Sequence, residues 1–142
     1  MTEYTDFSIS KLIEAALEAR NFSYVPYSGY SVGAALLCAN GKIVTGCNIE
    51  NAAYGPTNCA ERTAFFKAVS EGVLDFKAIV VCGGKQKETP QTFAYPCGVC
   101  RQVMKEFCGP DFQVIVAKSV EEYEIYTLAE LLPNSFGGEN LT

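Results

Sequence analysis

The stretch YSVGAALLCANGKIVTGCNI, residues 30–49, decides the fold class. Two apolar runs, residues 30–39 and 42–49, flank Asn40-Gly41. An Asn-Gly pair tolerates the positive φ angles of a type I′ turn, so the stretch predicts an antiparallel hairpin with that turn. Upstream, Ser8 or Ser10 can cap a helix with Leu12, Ile13, Ala16 and Leu17 on one face and Glu14, Glu18 and Arg20 opposite. That helix stops before the Pro- and Gly-punctuated segment 24–29. Downstream, a loop over 51–56 leads to a helix over 59–71, capped by Thr57 or Asn58 and ended by Gly72. Residues 76–82 read as a fully buried strand, 83–95 as a polar loop, and 98–108 as a helix stopped by Gly109-Pro110. A second buried strand over 112–117 and a weaker one over 122–126 follow. Thr127-Leu128-Ala129-Glu130 then forms the capping-box pattern of a short helix ending at Pro133. The order α-β-β-α-β-α-β-β-α, with helices as crossovers, predicts an α/β sandwich around a mixed sheet, one domain spanning residues 1–142.

Composition narrows the chemistry. The chain is 49% apolar and 19% charged, the balance of a folded globular protein. It has no histidine, which removes Ser-His-Asp and Cys-His nucleophile systems and every His-ligated metal site. The net charge is −5 and no five-residue basic run occurs, so the footprint of a duplex-binding protein is missing and nucleic acid is not expected as the main substrate. Residues 1–6 carry two acids and no base, unlike a signal or transit peptide. No apolar stretch approaches the ~20 residues of a membrane span. The seven cysteines are odd in number and several sit inside apolar runs, which predicts a reducing, cytoplasmic setting rather than a disulfide framework.

Cys59-Ala60-Glu61-Arg62 and Pro96-Cys97-Gly98-Val99-Cys100-Arg101 both fall at predicted helix N-termini. The partial positive charge there favours thiolate, the form that binds metal. First-turn side chains tilt toward the N-terminus, so residues at several azimuths can reach a point beyond the helix end. Cys59, Cys97 and Cys100 can therefore give zinc three ligands and leave a fourth position for water, the pattern of a catalytic site. One Zn2+ and three thiolates sum to −1, and Arg62 and Arg101 are candidates to offset it. A structural site would need a fourth ligand, for which Cys47, Cys82 or Cys108 are available; a lone Cys-x-x-Cys also serves thiol-disulfide chemistry. Cys38, Cys82 and Cys108 otherwise read as packing residues. Glu61 separates these readings, because neither a zinc fastener nor a redox protein requires a carboxylate there.

With these motifs the chain resembles the cytidine deaminases of the small homotetrameric, three-cysteine type. Residues 27–36, 46–54, 59–64 and 96–102 carry the resemblance, together with Glu130-Leu131-Leu132-Pro133 and Phe136. The resemblance implies a three-layer α/β/α sandwich around a mixed five-stranded sheet and one zinc ion per subunit. It also implies hydrolytic deamination at C4 of a pyrimidine nucleoside, converting cytidine and deoxycytidine to uridine and deoxyuridine in pyrimidine salvage. Zinc would activate the water, while Glu61 moves protons to N3 and then to the departing amino group. Asn48 and Glu50 would hold the ribose hydroxyls, Tyr30 would pack near the sugar, and the backbone at Ala60 would read the amino group. Ala52, Tyr54 and Phe136 would reach the active sites of neighbouring subunits, so the tetramer would share its sites. The chain departs from the family's usual pattern at Tyr30, Tyr95 and Val99, and in a long 83–95 loop. Three alternatives remain beside it: a cytosine deaminase acting on RNA or single-stranded DNA, a non-catalytic zinc module, and a thiol-disulfide protein using Cys97 and Cys100.

Overall fold

In the computed structural model, which describes residues 7–142, the hairpin forms from β1 (Tyr30–Cys38) and β2 (Ile43–Cys47). Residues 1–6, on which the reading against a targeting segment rests, lie outside the described residues. The turn is not type I′. Of the Asn40-Gly41 pair only Gly41 has positive φ, at 90°. The Cys38 N–H donates to the Lys42 carbonyl and the Gly41 N–H to the Cys38 carbonyl, both at 2.9 Å. These bonds enclose a three-residue loop, 39–41, which needs one left-handed residue at its end and leaves Asn40 free of that demand.

β3 (Phe76–Lys85) lies antiparallel on β1, β4 (Gln113–Ala117) lies parallel to β3, and β5 (Tyr123–Thr127) closes the far edge antiparallel. The resulting order is β2-β1-β3-β4-β5. β3 runs three residues past the predicted end at Cys82, pairing Gly83, Gly84 and Lys85 with Val32, Ser31 and Tyr30. Close neighbours favour glycine there: a Cβ at position 83 would meet the Ala94 Cβ at 2.8 Å, and one at 84 would meet the Pro90 Cα at 3.0 Å. Residues that read as loop in the sequence are strand because β1 pairs with them, and their lack of side chains lets the 90–94 segment pack close.

Strand alternation then divides the core in two. On one face α1 (Ile9–Ala19), capped by Ser8, sets Leu12, Ile13 and Ala16 against Ala35, Leu37, Ala78, Val80 and Ile115. On the other, α2 (Ala60–Ser70) and α3 (Gly98–Phe107) bring Ala64, Phe65, Ala68 and Met104 onto Ala34, Leu36, Ile79, Val81 and Val114. The three-layer α/β/α sandwich around a mixed five-stranded sheet is thus the observed fold. Arg20 departs from its expected place on the exposed side of the first helix. It is 9% exposed just past α1, its Nε donating to the Ser31 carbonyl at 3.0 Å and its Nη2 to that of Lys85 at 3.1 Å. A guanidinium with several donors can serve both carbonyls at once, and those bonds offset the cost of its burial. After β5, α4 (Leu128–Leu131) starts with the expected Thr127–Glu130 capping box. Among the described residues, no helix is long and apolar enough to cross a membrane.

Candidate active site

Cys59 and Cys97 are the residues immediately before the first turns of α2 and α3, and Cys100 lies in the first turn of α3. Thr57 and Asn58 do not cap α2. Asn58 exchanges backbone hydrogen bonds with Ile49 at 2.9 and 3.0 Å, and the Thr57 hydroxyl accepts from the Asn51 N–H. The extended bridge to Ile49 delays the helix and makes Cys59 its capping residue. Neither Cys59 nor Cys97 caps the backbone N–H groups of its own helix with its sulfur, so each sulfur stays available for a ligand.

The three sulfurs converge. Cys97 Sγ lies 3.8 Å from Cys59 Sγ and 3.6 Å from Cys100 Sγ, and all three fall within 4.8 Å of one another. Tetrahedral zinc with sulfurs at about 2.3 Å separates them by about 3.8 Å, so the spacing suits that ion. Among the described residues no fourth Cys, Asp or Glu joins the group. Cys47, Cys82 and Cys108 do not complete a structural site. Cys82 and Cys108 have thiols pushed up to about 12 by burial, as expected of packing residues.

The surrounding charge follows from the two helix ends. Cys59 is drawn down to about 5, first by the hydrogen bond from Cys100 and then by those from Arg62 and Cys97. The Arg62 Nη2 donates to Cys59 Sγ at 3.2 Å. Glu61, only 4% exposed, has its carboxyl pushed up to about 7, chiefly by burial with the neighbouring Cys59 charge adding to it. Such a carboxyl can exchange protons near neutrality.

Arg101 does not face the sulfurs as expected. Its Nε donates to the Pro96 carbonyl and its Nη1 to that of Leu131, both at 2.7 Å. Arg62 stands one turn after Cys59 and points back at it, whereas Arg101 is drawn by carbonyls of the 96 turn and α4.

Of the expected substrate contacts, Asn48, Glu50 and Tyr30 gather at the start of β1. Asn48 accepts from the Val32 N–H and donates to the Tyr30 carbonyl, each at 2.9 Å. Glu50 accepts from the N–H groups of Tyr27 and Ser28 at 3.0 and 3.1 Å, and from the Ser28 hydroxyl, which lowers its pKa. Ser28, absent from the sequence-based site, is thus part of this arrangement; its position in a turn after Pro26 was the available signal. Tyr30 is partly exposed beside Gly83, and Ala60 is fully buried at the start of α2. Ala52, Tyr54 and Phe136 are exposed on this chain, Tyr54 at 80% and Phe136 at 59%, the Phe136 carbonyl accepting from Gln102.

Comparison with known proteins bears on this geometry. Residues 7–117 match the family described as the cytidine and deoxycytidylate deaminase zinc-binding region. The chain belongs to this deaminase family. The matched stretch of this chain contains all three clustered cysteines. The chain is 51% identical over 134 residues to a cytidine deaminase of Sporosarcina psychrophila, covering 94% of this chain and 95% of that protein. It is 48% identical to one of Halalkalibacterium halodurans, covering 92% and 95% of the two. The crystal structure of cytidine deaminase from Burkholderia pseudomallei superposes with a TM-score of 0.83 at 42% identity, covering 92% of this chain and all of that one. The deaminase fold and a zinc-competent centre of three cysteines are therefore both present.

Proposed function

We propose that the chain, acting as one catalytic domain over residues 1–142, hydrolyses the 4-amino group of cytidine and deoxycytidine, yielding uridine and deoxyuridine plus ammonia. The observation that carries this reading is a buried Glu61, its carboxyl pushed up to about 7 by burial, two residues after Cys59 in a three-sulfur group that no fourth Cys, Asp or Glu joins among the described residues. Cys59, Cys97 and Cys100 hold zinc. When bound, zinc makes water a competent nucleophile at neutral pH by lowering its pKa toward ~7.

Glu61 takes one proton from the attacking water and delivers it to N3 of the base, then takes the remaining hydroxyl proton of the C4 adduct and gives it to the departing amino group as the C4–N bond breaks. Its burial keeps bulk water from competing for that proton. The Ala60 backbone reads the amino group of the base. Asn48 and Glu50 bind the ribose hydroxyls. Their bonds to residues 27–32 orient them, and each retains hydrogen-bonding capacity: a second amide hydrogen on Asn48 and free lone pairs on Glu50. Tyr30 packs near the sugar. Arg62 offsets the negative charge of the sulfurs.

Ala52, Tyr54 and Phe136 serve sites of neighbouring subunits in a homotetramer. Large exposed aromatics on one protomer support that role, since such groups mark interaction surfaces. All seven cysteines are free thiols, which supports a reducing, cytoplasmic setting; a place in pyrimidine salvage follows from the nucleoside substrate.

The test is the fall in absorbance as cytidine becomes uridine, for the wild type and Glu61→Ala. Activity in the first and a loss of about a hundredfold or more in the second, with zinc content unchanged, is the expected result. A zinc-containing wild type inert on both cytidine and deoxycytidine would overturn the reading.

A further inference from the structure

Cys97 depends on backbone for its position. Cys59 has Arg62 against its sulfur and Cys100 is buried within α3, whereas Cys97 is exposed, its sulfur meeting the other two sulfurs and making no capping bond to the α3 backbone. The turn that delivers it is held from both sides. Arg101 grips the Pro96 carbonyl. One residue earlier, the Tyr95 hydroxyl donates to Glu124 Oε1 at 3.1 Å, and the Tyr126 hydroxyl donates to the same oxygen at 2.7 Å. The Tyr95 and Tyr126 rings meet edge to face with centroids 6.1 Å apart. Phe93 lies 6.4 Å from the Tyr95 ring and carries the Lys118 ammonium 4.9 Å over its face. Residues 93–95 are thereby fastened to the edge strand β5 and to the residue after β4.

We infer that Glu124 is a positioning residue for Cys97, acting through Tyr95 with Tyr126 as its support, and that this brace presets the sulfur spacing required by the metal. The inference rests on the zinc reading of the site. A preset turn binds metal more tightly because its ordering entropy is not charged against the binding step.

The test uses zinc-loaded protein, a chromophoric chelator to measure zinc affinity, and the visible spectrum of the Co2+-substituted protein. Glu124→Ala and Tyr95→Phe are expected to weaken zinc binding about tenfold, the lower end for groups behind metal ligands, and to shift the cobalt–thiolate bands. Glu124→Gln, whose amide oxygen still accepts from both hydroxyls, is expected to stay near the wild type in both readouts. Tyr95→Phe carries the test should Glu124→Ala not fold, since it removes one hydroxyl and keeps the ring. Wild-type affinity in Tyr95→Phe, or an equal loss in Glu124→Ala and Glu124→Gln, overturns the inference. Zinc affinity is read without substrate, so failure of the brace and failure of the deaminase reading are separate outcomes.

Discussion

Arg62 Nη2 donates to Cys59 Sγ across 3.2 Å, joining a charged tip from α2's first turn to the sulfur of the residue just before that helix. The pairing places a permanent cation against a site whose three thiolates outweigh one Zn2+ by a single charge. Arginine suits the position because its guanidinium stays charged and donates in a fixed geometry to Cys59 Sγ.

Removing this cation should therefore act on the metal and on turnover together. Arg62→Gln is expected to bind zinc about tenfold more weakly and to deaminate cytidine more slowly. Chelator competition and steady-state kinetics check it, and unchanged values in both would remove the charge-compensation role.

The position of α2 itself depends on Gly46 of β2. A Cβ there would stand 2.5 Å from the Ala60 carbonyl oxygen and 2.6 Å from the Ala64 nitrogen. Gly46→Ala must push away the first turn that carries Glu61 and follows Cys59. The expected result is about 1–3 kcal/mol of lost stability in urea unfolding, together with weaker zinc binding. Gly33→Ala presses instead on the Ala16 carbonyl of α1, on the opposite face of the sheet. It should destabilise comparably and leave zinc affinity at the wild-type value.

Metal removal should silence the enzyme without unfolding it, because both hydrophobic clusters form on the sheet independently of the sulfurs. Dialysis against a chelator is expected to abolish activity, preserve the far-ultraviolet circular dichroism, and permit recovery on adding Zn2+. Iodoacetamide should then modify Cys97 first. Cys38 and Cys82, both 0% exposed, should resist until the protein is denatured. A collapse of the dichroism on chelation would assign the metal a folding role instead.

Acid should reveal the capping box of α4. Glu130 accepts from the Thr127 N–H at 2.8 Å and from its hydroxyl at 3.2 Å, and these bonds hold its pKa below the usual 4.5. A lowered folded pKa means the unfolded state binds the proton more readily, so the stabilisation is complete above 4.5 and fades as pH falls through the folded value. The gap in melting temperature between the wild type and Glu130→Ala should be open at neutral pH and narrow in strong acid, well below that folded value. A gap of constant width would show that the carboxylate charge contributes nothing.

Read alone, the amino-acid order located the five strands and four α-helices of the described residues, short of the last three residues of β3, and picked out the three cysteines that cluster, with Glu61 beside them. Each of these rests on a local rule: apolar alternation in strands, a Gly stop after a helix, sulfur at a helix N-terminus. It also determined that no histidine could take part, which left sulfur to bind metal and a carboxylate to move protons. What tertiary structure decided are the partners of groups far apart in the chain. Arg20 reaches the Lys85 carbonyl across 65 positions, Arg101 that of Leu131 across 30, and Tyr95 the Glu124 carboxylate across 29. Arg101 and Arg62 follow cysteines or their neighbours alike in sequence, yet only Arg62 meets a sulfur, because α4 brings a carbonyl to Arg101 and nothing comparable to Arg62. A donor's type and approximate direction are local properties. Which acceptor stands within hydrogen-bond distance of it is set by sheet register and helix placement, and those exist only once the chain has folded.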